Sequence, residues 1–129
     1  MTVLVTGAGG RLGRAVVAGF SDRGSDADQV VGLDRSTLDV ADREAVHAAV
    51  RAHQPSVVVN CAAWTDVDGC EGDADRAGRV NAEAVGHLRE AAAEAGAHLV
   101  QISTDFVFDG RATVPYPEDH PTGPLGVYG

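Results

Sequence analysis

Three groups of residues in this 129-residue chain have the type and spacing to do chemistry. The first is the string Gly7-Ala8-Gly9-Gly10-Arg11-Leu12-Gly13, between an apolar run and a helical run. Glycines so spaced allow a tight turn at Gly7, close passage of backbone to a diphosphate at Gly10, and close helix–strand contact at Gly13. Amides at the start of the following helix, lacking intrahelical acceptors, then face the anion. The second group centres on Asp34, twenty-one residues past Gly13. A carboxylate there suits the adenosine ribose hydroxyls of NAD, whereas its neighbour Arg35 suits the 2′-phosphate of NADP, so both cofactors stay open. Asp39 and Val40 are placed to reach an adenine ring, with a helix-entry turn as the other role for Asp39. The third group lies at the ends of two later apolar runs, Asn60-Cys61-Ala62-Ala63-Trp64-Thr65 and Ser103-Thr104-Asp105-Phe106. Small residues at Ala62 and Ala63 permit close passage of a cofactor. The Thr104 hydroxyl falls where nicotinamide and substrate would meet.

These groups need a scaffold, and the hydrophobic pattern supplies one. Residues 2–6, 29–34, 57–60 and 98–103 are apolar runs of strand length with little alternation, as in strands covered on both faces. Between them, residues 11–20, 42–53 and about 77–95 carry apolar side chains at helical spacing. Asp42 is a plausible N-cap, and Gly24 and Gly96 are stop signals. Residues 65–75 look turn-rich, and residues 109–125 look like a loop, holding all but one of the five prolines. Alternating strands and helices predict an α/β fold, a doubly wound parallel Rossmann sheet of expected order 3-2-1-4. Ligands then bind outside the carboxyl ends of the strands, in a crevice flanked by strands one and four. At this length a single domain, residues 1–129, is expected.

Composition narrows the partners. Nineteen acidic residues, thirteen of them Asp, face ten basic residues, all Arg, for a net charge of −9. No basic stripe exists to neutralise phosphates, which argues against nucleic acid. No apolar run approaches the ~20 residues of a membrane span, and a cytoplasmic location is expected. Cys61 and Cys70 complete no zinc spacing and are expected to be reduced and idle. The five His residues form no ligand spacing, and no metal site is expected. An Asp-rich surface without Lys fits a salt-adapted protein, in which ions screen self-repulsion. A coding bias toward Arg would explain the same composition. Salt adaptation predicts a melting midpoint that rises from low to molar salt; an indifferent midpoint supports the coding bias.

Taken together, TGAGGRLG, VVVNCAAWTDVDGCE, VNAEAV, QISTDFVFDG and PLGVYG resemble the dTDP-4-dehydrorhamnose reductase family of extended short-chain dehydrogenase/reductases. The resemblance covers the whole chain, and STDFVFDG is its most discriminating phrase. It implies reduction of the 4-keto group of a dTDP-linked 6-deoxyhexose, the substrate partner, by NADPH or NADH. It makes Tyr128 the proton donor, Thr104 a substrate contact beside Asp105, and Asn81 a support of the active site. Family cofactor contacts map onto Gly10, Arg11, Leu12, Asp34, Asp39, Val40, Ala63, Trp64 and Thr65. Similar proteins include sugar epimerases and dehydratases, and non-catalytic NADP-binding regulatory subunits of methionine adenosyltransferase.

The family pattern also sets a Lys four residues after the Tyr. These 129 residues contain none and run only to Gly129. A phenol ordinarily ionises near pH 10, and a nearby ammonium brings it toward working pH. The chain as given is therefore expected to be truncated before strand five and the substrate domain, and to turn over poorly. The outer edge of strand four is then expected to be a dimerisation or aggregation edge.

Overall fold

The computed structural model describes residues 1–22 and 29–129. Gly24, the expected helix stop, lies outside the described residues. The strands are β1 (Thr2–Thr6), β2 (Gln29–Leu33), β3 (Val57–Asn60) and β4 (His98–Gln101). They form one sheet in which every pairing is parallel. Helix α1 (Arg11–Ser21) joins β1 to β2, and α2 (Arg43–His53) joins β2 to β3. Between β3 and β4 come α3 (Val67–Gly72), α4 (Ala74–Gly78), a π-helical turn (Arg79–Glu83) and α5 (Ala84–Glu94). The stretch 65–75 is thus partly helical. Asp66 and Asp73 accept hydrogen bonds from Gly69 N–H and Arg76 N–H at 3.0 Å each, starting two short helices where composition alone suggests turns.

The doubly wound parallel class is as the sequence predicts, but the neighbours differ. The order is β2-β1-β3-β4, not 3-2-1-4. Burial supplies the reason. In β3 three of four residues are buried, which an outermost strand does not allow, whereas β2 is half exposed and takes the edge. The switch in winding direction therefore falls between β1 and β3. At the other side β4 pairs with β3 alone, so its outer edge has no partner strand among the described residues.

Alternate residues of the central strands serve two cores. Leu4 and Val58 point to one face and pack with Val46 and Val50 of α2 and Ala84, Leu88, Ala91 and Ala92 of α5. Val3, Val5 and Val59 point to the other, against Val16, Val17 and Phe20 of α1. Burying each such Val or Leu contributes roughly 1.5–3 kcal/mol. Leu38 and Val40, in the connection from β2 to α2, join the first core. Asp42 caps α2 as expected, accepting from Ala45 N–H at 3.0 Å. His47 is buried on the face of α2 toward α5, its Nδ1 3.0 Å from Glu94 Oε2.

Residues 109–125 are irregular, as expected, and largely exposed, but held by local contacts. A 3-10 turn (Asp105–Val107) follows β4. Phe108 and Tyr116 stack at 4.4 Å, and His120 meets both rings edge-on. Tyr116 Oη donates to Asp109 Oδ1 at 2.8 Å, and Gly123 N–H donates to Val107 O at 2.9 Å. No helix among the described residues is long and apolar enough to cross a membrane.

Candidate functional site

The glycine turn leaves β1 at its carboxyl end. Gly7 has φ +66°, a left-handed conformation, and a Cβ there would lie 2.6 Å from Ala62 N. A Cβ on Gly13 would overlap the Gly7 carbonyl oxygen and lie 2.8 Å from Ala8 Cα. The turn and the loop after β3 therefore touch backbone to backbone at the switch point. Gly10 N–H donates to Gly7 O at 2.9 Å, and Gly10 is the N-cap residue of α1.

Two cavities open over the carboxyl ends of the strands, and Gly10, Cys61, Ala62 and Ala63 line both. The first, about 710 Å³, is lined by Gly7 and Gly9, Asp34 and Arg35, Asp39 and Val40, and Trp64. The second, about 820 Å³, is lined by Arg11, Leu12 and Gly13, by Thr65 and Asn81, and by Thr104, Asp105 and Tyr128. The glycines of the turn, Asp34, Arg35, Asp39, Val40, residues 62–65, Asn81, Thr104, Asp105 and Tyr128 thus border the trough that these two adjoining cavities make. Leu12, although it lies within the apolar spacing of α1, is 46% exposed and lines the second cavity.

Electrostatics differ along the trough. Ser36 donates to Asp34 Oδ1 from its hydroxyl at 2.6 Å and its amide at 2.9 Å, holding that carboxyl below its ordinary value. Among the described residues, the hydrogen bonds to the Asp34 carboxylate from Ser36 and Thr37 side chains and the Ser36 amide fall on Oδ1. Its Oδ2 would lie 3.6 Å from a Cβ on Gly9, on the side of the glycine turn. Asp39 does form a turn at helix entry, its Oδ1 accepting from Ala41 N–H at 3.0 Å, while also lining the first cavity. Both cysteines are free, and desolvation pushes both thiols up.

The far end is held by side-chain amides. Asn81, in the π-helical turn, accepts from Trp64 N–H at 2.8 Å and donates to Trp64 O at 2.9 Å, clamping the loop after β3. Such wide turns often occur at functional sites. Thr104 Oγ1 accepts from Phe106 N–H at 3.2 Å and so caps the 3-10 turn. Tyr128 packs edge-on against Phe106, with ring centroids 5.4 Å apart.

The family model for the RmlD substrate binding domain matches residues 1–129. The chain belongs to this family. Proteins similar to this RmlD-family chain include a dTDP-4-dehydrorhamnose reductase from Streptomyces griseus, 51% identical over 126 residues, covering 98% of this chain and 40% of that protein. Among solved structures, a dTDP-4-dehydrorhamnose reductase from Clostridium acetobutylicum matches with 40% identity and TM-score 0.91, over 99% of this chain and 45% of that one. The same enzyme from Bacillus anthracis, in complex with NADP, matches with 33% identity and TM-score 0.91, over 98% of this chain and 44% of that one. The RmlD-family chain thus spans less than half the length of each.

Several residues of this RmlD-family site give no local sequence signal. Asn60 is buried at the end of β3 and accepts from Thr6 Oγ1 and from Ala62 N–H at 3.1 Å, while donating to Gln101 Oε1 at 2.8 Å. It ties together the carboxyl ends of three strands, which only the sheet order brings within reach. Arg14, Arg76 and Arg79 join Arg35 around the first cavity, and the Arg76 guanidinium lies 3.9 Å from the centre of the Trp64 ring. The helical spacing of Arg76 and Arg79 is visible in the sequence; the cavity they share is not.

Proposed function

We propose that this chain is the dinucleotide-binding part of a reductase that uses NADPH or NADH to reduce the 4-keto group of a dTDP-linked 6-deoxyhexose. The observation that carries the reading is the trough made by the two adjoining cavities. An adenosine-type pocket with two acids and four arginines lies at one end, a glycine cradle in the middle, and a threonine, an asparagine and a tyrosine at the other. The cradle suits a diphosphate: the Cβ atoms that Gly7 and Gly13 lack would collide with backbone, so the turn is tight and ends at the amides of the α1 amino terminus.

The dinucleotide, when bound, supplies the hydride. The α1 amino terminus and the turn amides hold the diphosphate, aided by the partial positive charge of the helix end. Asp34 accepts from the adenosine ribose hydroxyls. Asn81 holds the 62–65 loop through Trp64, a loop that would line the dinucleotide's path. Thr104 donates to the carbonyl oxygen of the sugar and orients it, and Tyr128 delivers the proton to that oxygen. With no lysine in these 129 residues, we expect the chain by itself to bind the dinucleotide and turn over poorly.

Two measurements test this. Titration with NADPH and NADH, followed by fluorescence, is expected to show saturable binding; no binding of either overturns the reading. Within a protein of the relatives' full length, these residues are then expected to support oxidation of NADPH or NADH when a dTDP-4-keto-6-deoxyhexose is supplied; that protein is the full chain of the assays below. Tight binding without oxidation favours a non-catalytic NADP-binding module.

Asp34 offers a prediction on cofactor choice. Asp34→Asn keeps an acceptor for Ser36 but removes the charge that faces a 2′-phosphate. The ratio of NADPH to NADH affinity is expected to rise on the order of fivefold, in keeping with like-charge discrimination at an exposed site. A ratio unchanged on titration would remove Asp34 from the selectivity filter.

A further inference from the structure

Glu71, which has no place in the trough, makes a long-range contact with the segment that carries Tyr128. It is the penultimate residue of α3, and its Oε1 accepts from the Val127 N–H at 2.7 Å. The bond is charge-assisted and spans 56 residues of chain. Gly126 makes the approach feasible, since a Cβ there would lie 2.7 Å from the same oxygen. On the other side of Tyr128, a Cβ on Gly129 would overlap the Phe106 carbonyl oxygen and lie 2.8 Å from Pro124 Cβ. The phenol is thus gripped three ways: Glu71 on the residue before it, Phe106 O against the residue after it, and the Phe106 ring against its own.

Helix α3 is well seated for this task. The residue preceding Glu71, Cys70, is fully buried, with Sγ 3.7 Å from Trp64 O, the carbonyl that Asn81 also holds. One six-residue helix therefore touches the floor of the nucleotide cavity and the loop bearing the phenol.

We infer that Glu71 is a positioning residue that fixes Tyr128 over the second cavity by anchoring the Val127 amide to α3. The inference rests on the reductase reading for its catalytic consequence, but not for the anchor itself. Its carboxylate does not touch substrate; it removes freedom from the backbone next to the proton donor, and misplacement of about 1 Å can cost on the order of 100-fold in rate.

The test uses the full chain with Glu71→Ala and Glu71→Gln. Glu71 is exposed, so neither change opens the core. The Val127 amide resonance is expected to move upfield in Glu71→Ala, where the bond is lost, and to stay close to its wild-type position in Glu71→Gln, whose amide oxygen still accepts. In the reduction assay Glu71→Ala is expected to lower kcat on the order of 10- to 100-fold with dinucleotide affinity unchanged, and Glu71→Gln to recover most of the loss. A wild-type kcat in Glu71→Ala, equal damage from Gln and Ala, or parallel loss of dinucleotide affinity overturns the inference. If the wild-type chain binds dinucleotide yet reduces no keto sugar, the reductase reading fails alone. The amide shift then still decides whether the anchor exists, and a Val127 amide unmoved by Glu71→Ala overturns it.

Discussion

A Gly13→Ala protein is expected to melt at lower temperature than the wild type and to bind nicotinamide dinucleotides up to about 100-fold more weakly. The added methyl would meet the Gly7 carbonyl oxygen and Ala8 Cα, both backbone atoms that no rotamer change can move aside. Overpacking of that kind costs roughly 1–3 kcal/mol. The strain falls on the turn that presents its amides to the diphosphate. If most of it is expressed in the bound form, each 1.4 kcal/mol is about tenfold in affinity. Gly19→Ala is the matched control. It lies in the same helix, with nothing within 4 Å of its added Cβ. There alanine should stabilise by about 0.5–1 kcal/mol through its lower unfolded-state entropy. Thermal melting and dinucleotide titration of both proteins check the pair. Wild-type affinity and melting in Gly13→Ala would show that the cradle tolerates a side chain and that the close approach is not required.

Tyr128→Phe is expected to leave folding and dinucleotide affinity unchanged and to lower kcat by about 10²–10⁴, the usual contribution of a positioned general acid. The ring packing against Phe106 is kept in the variant, so the comparison isolates the hydroxyl. Single-turnover reduction by the full chain with bound NADPH is the measurement. An unchanged rate would remove Tyr128 from proton delivery and leave Thr104 as the hydroxyl over the second cavity.

Much of this was legible from the chain alone, and for definable reasons. The strand and helix positions follow from periodicity, because both faces of the sheet are covered and the strands are continuously apolar. The glycine turn, Asp34 and Thr104 fall at element ends, where spacing carries information, whereas Tyr128 came from the family resemblance alone. The sheet order was less accessible. Gln29 and Gly32 do mark β2 as poorly suited to an interior position, but strand pairing is a long-range property, and local patterning does not state it. The helix before β4 was blurred for another reason. Its first residues are Asp- and Gly-rich, and their helicity depends on Asp66 and Asp73 capping short helices, not on apolar spacing. Asn60 and Glu71 both lie in the phrase VVVNCAAWTDVDGCE, but their contacts were not legible from it. Each acts through partners 41 to 56 residues away, which local spacing does not reveal.

The wide turn at Arg79–Glu83 makes chain length, as well as residue type, a constraint on this molecule. A π-helical turn accommodates one residue more than an α-turn. The surplus lets two incompatible registers share one rod: Asn81 aims at the trough, while Ala84, Leu88 and Ala91 aim at the hydrophobic interior. Deleting any one of these five residues would let the rod relax to regular winding and turn its two halves against each other by about 100°. Either the latch on Trp64 would swing away or the interior face would roll outward. Insertions and deletions here should be far less tolerated than substitutions at the outward-facing Ala82 and Glu83.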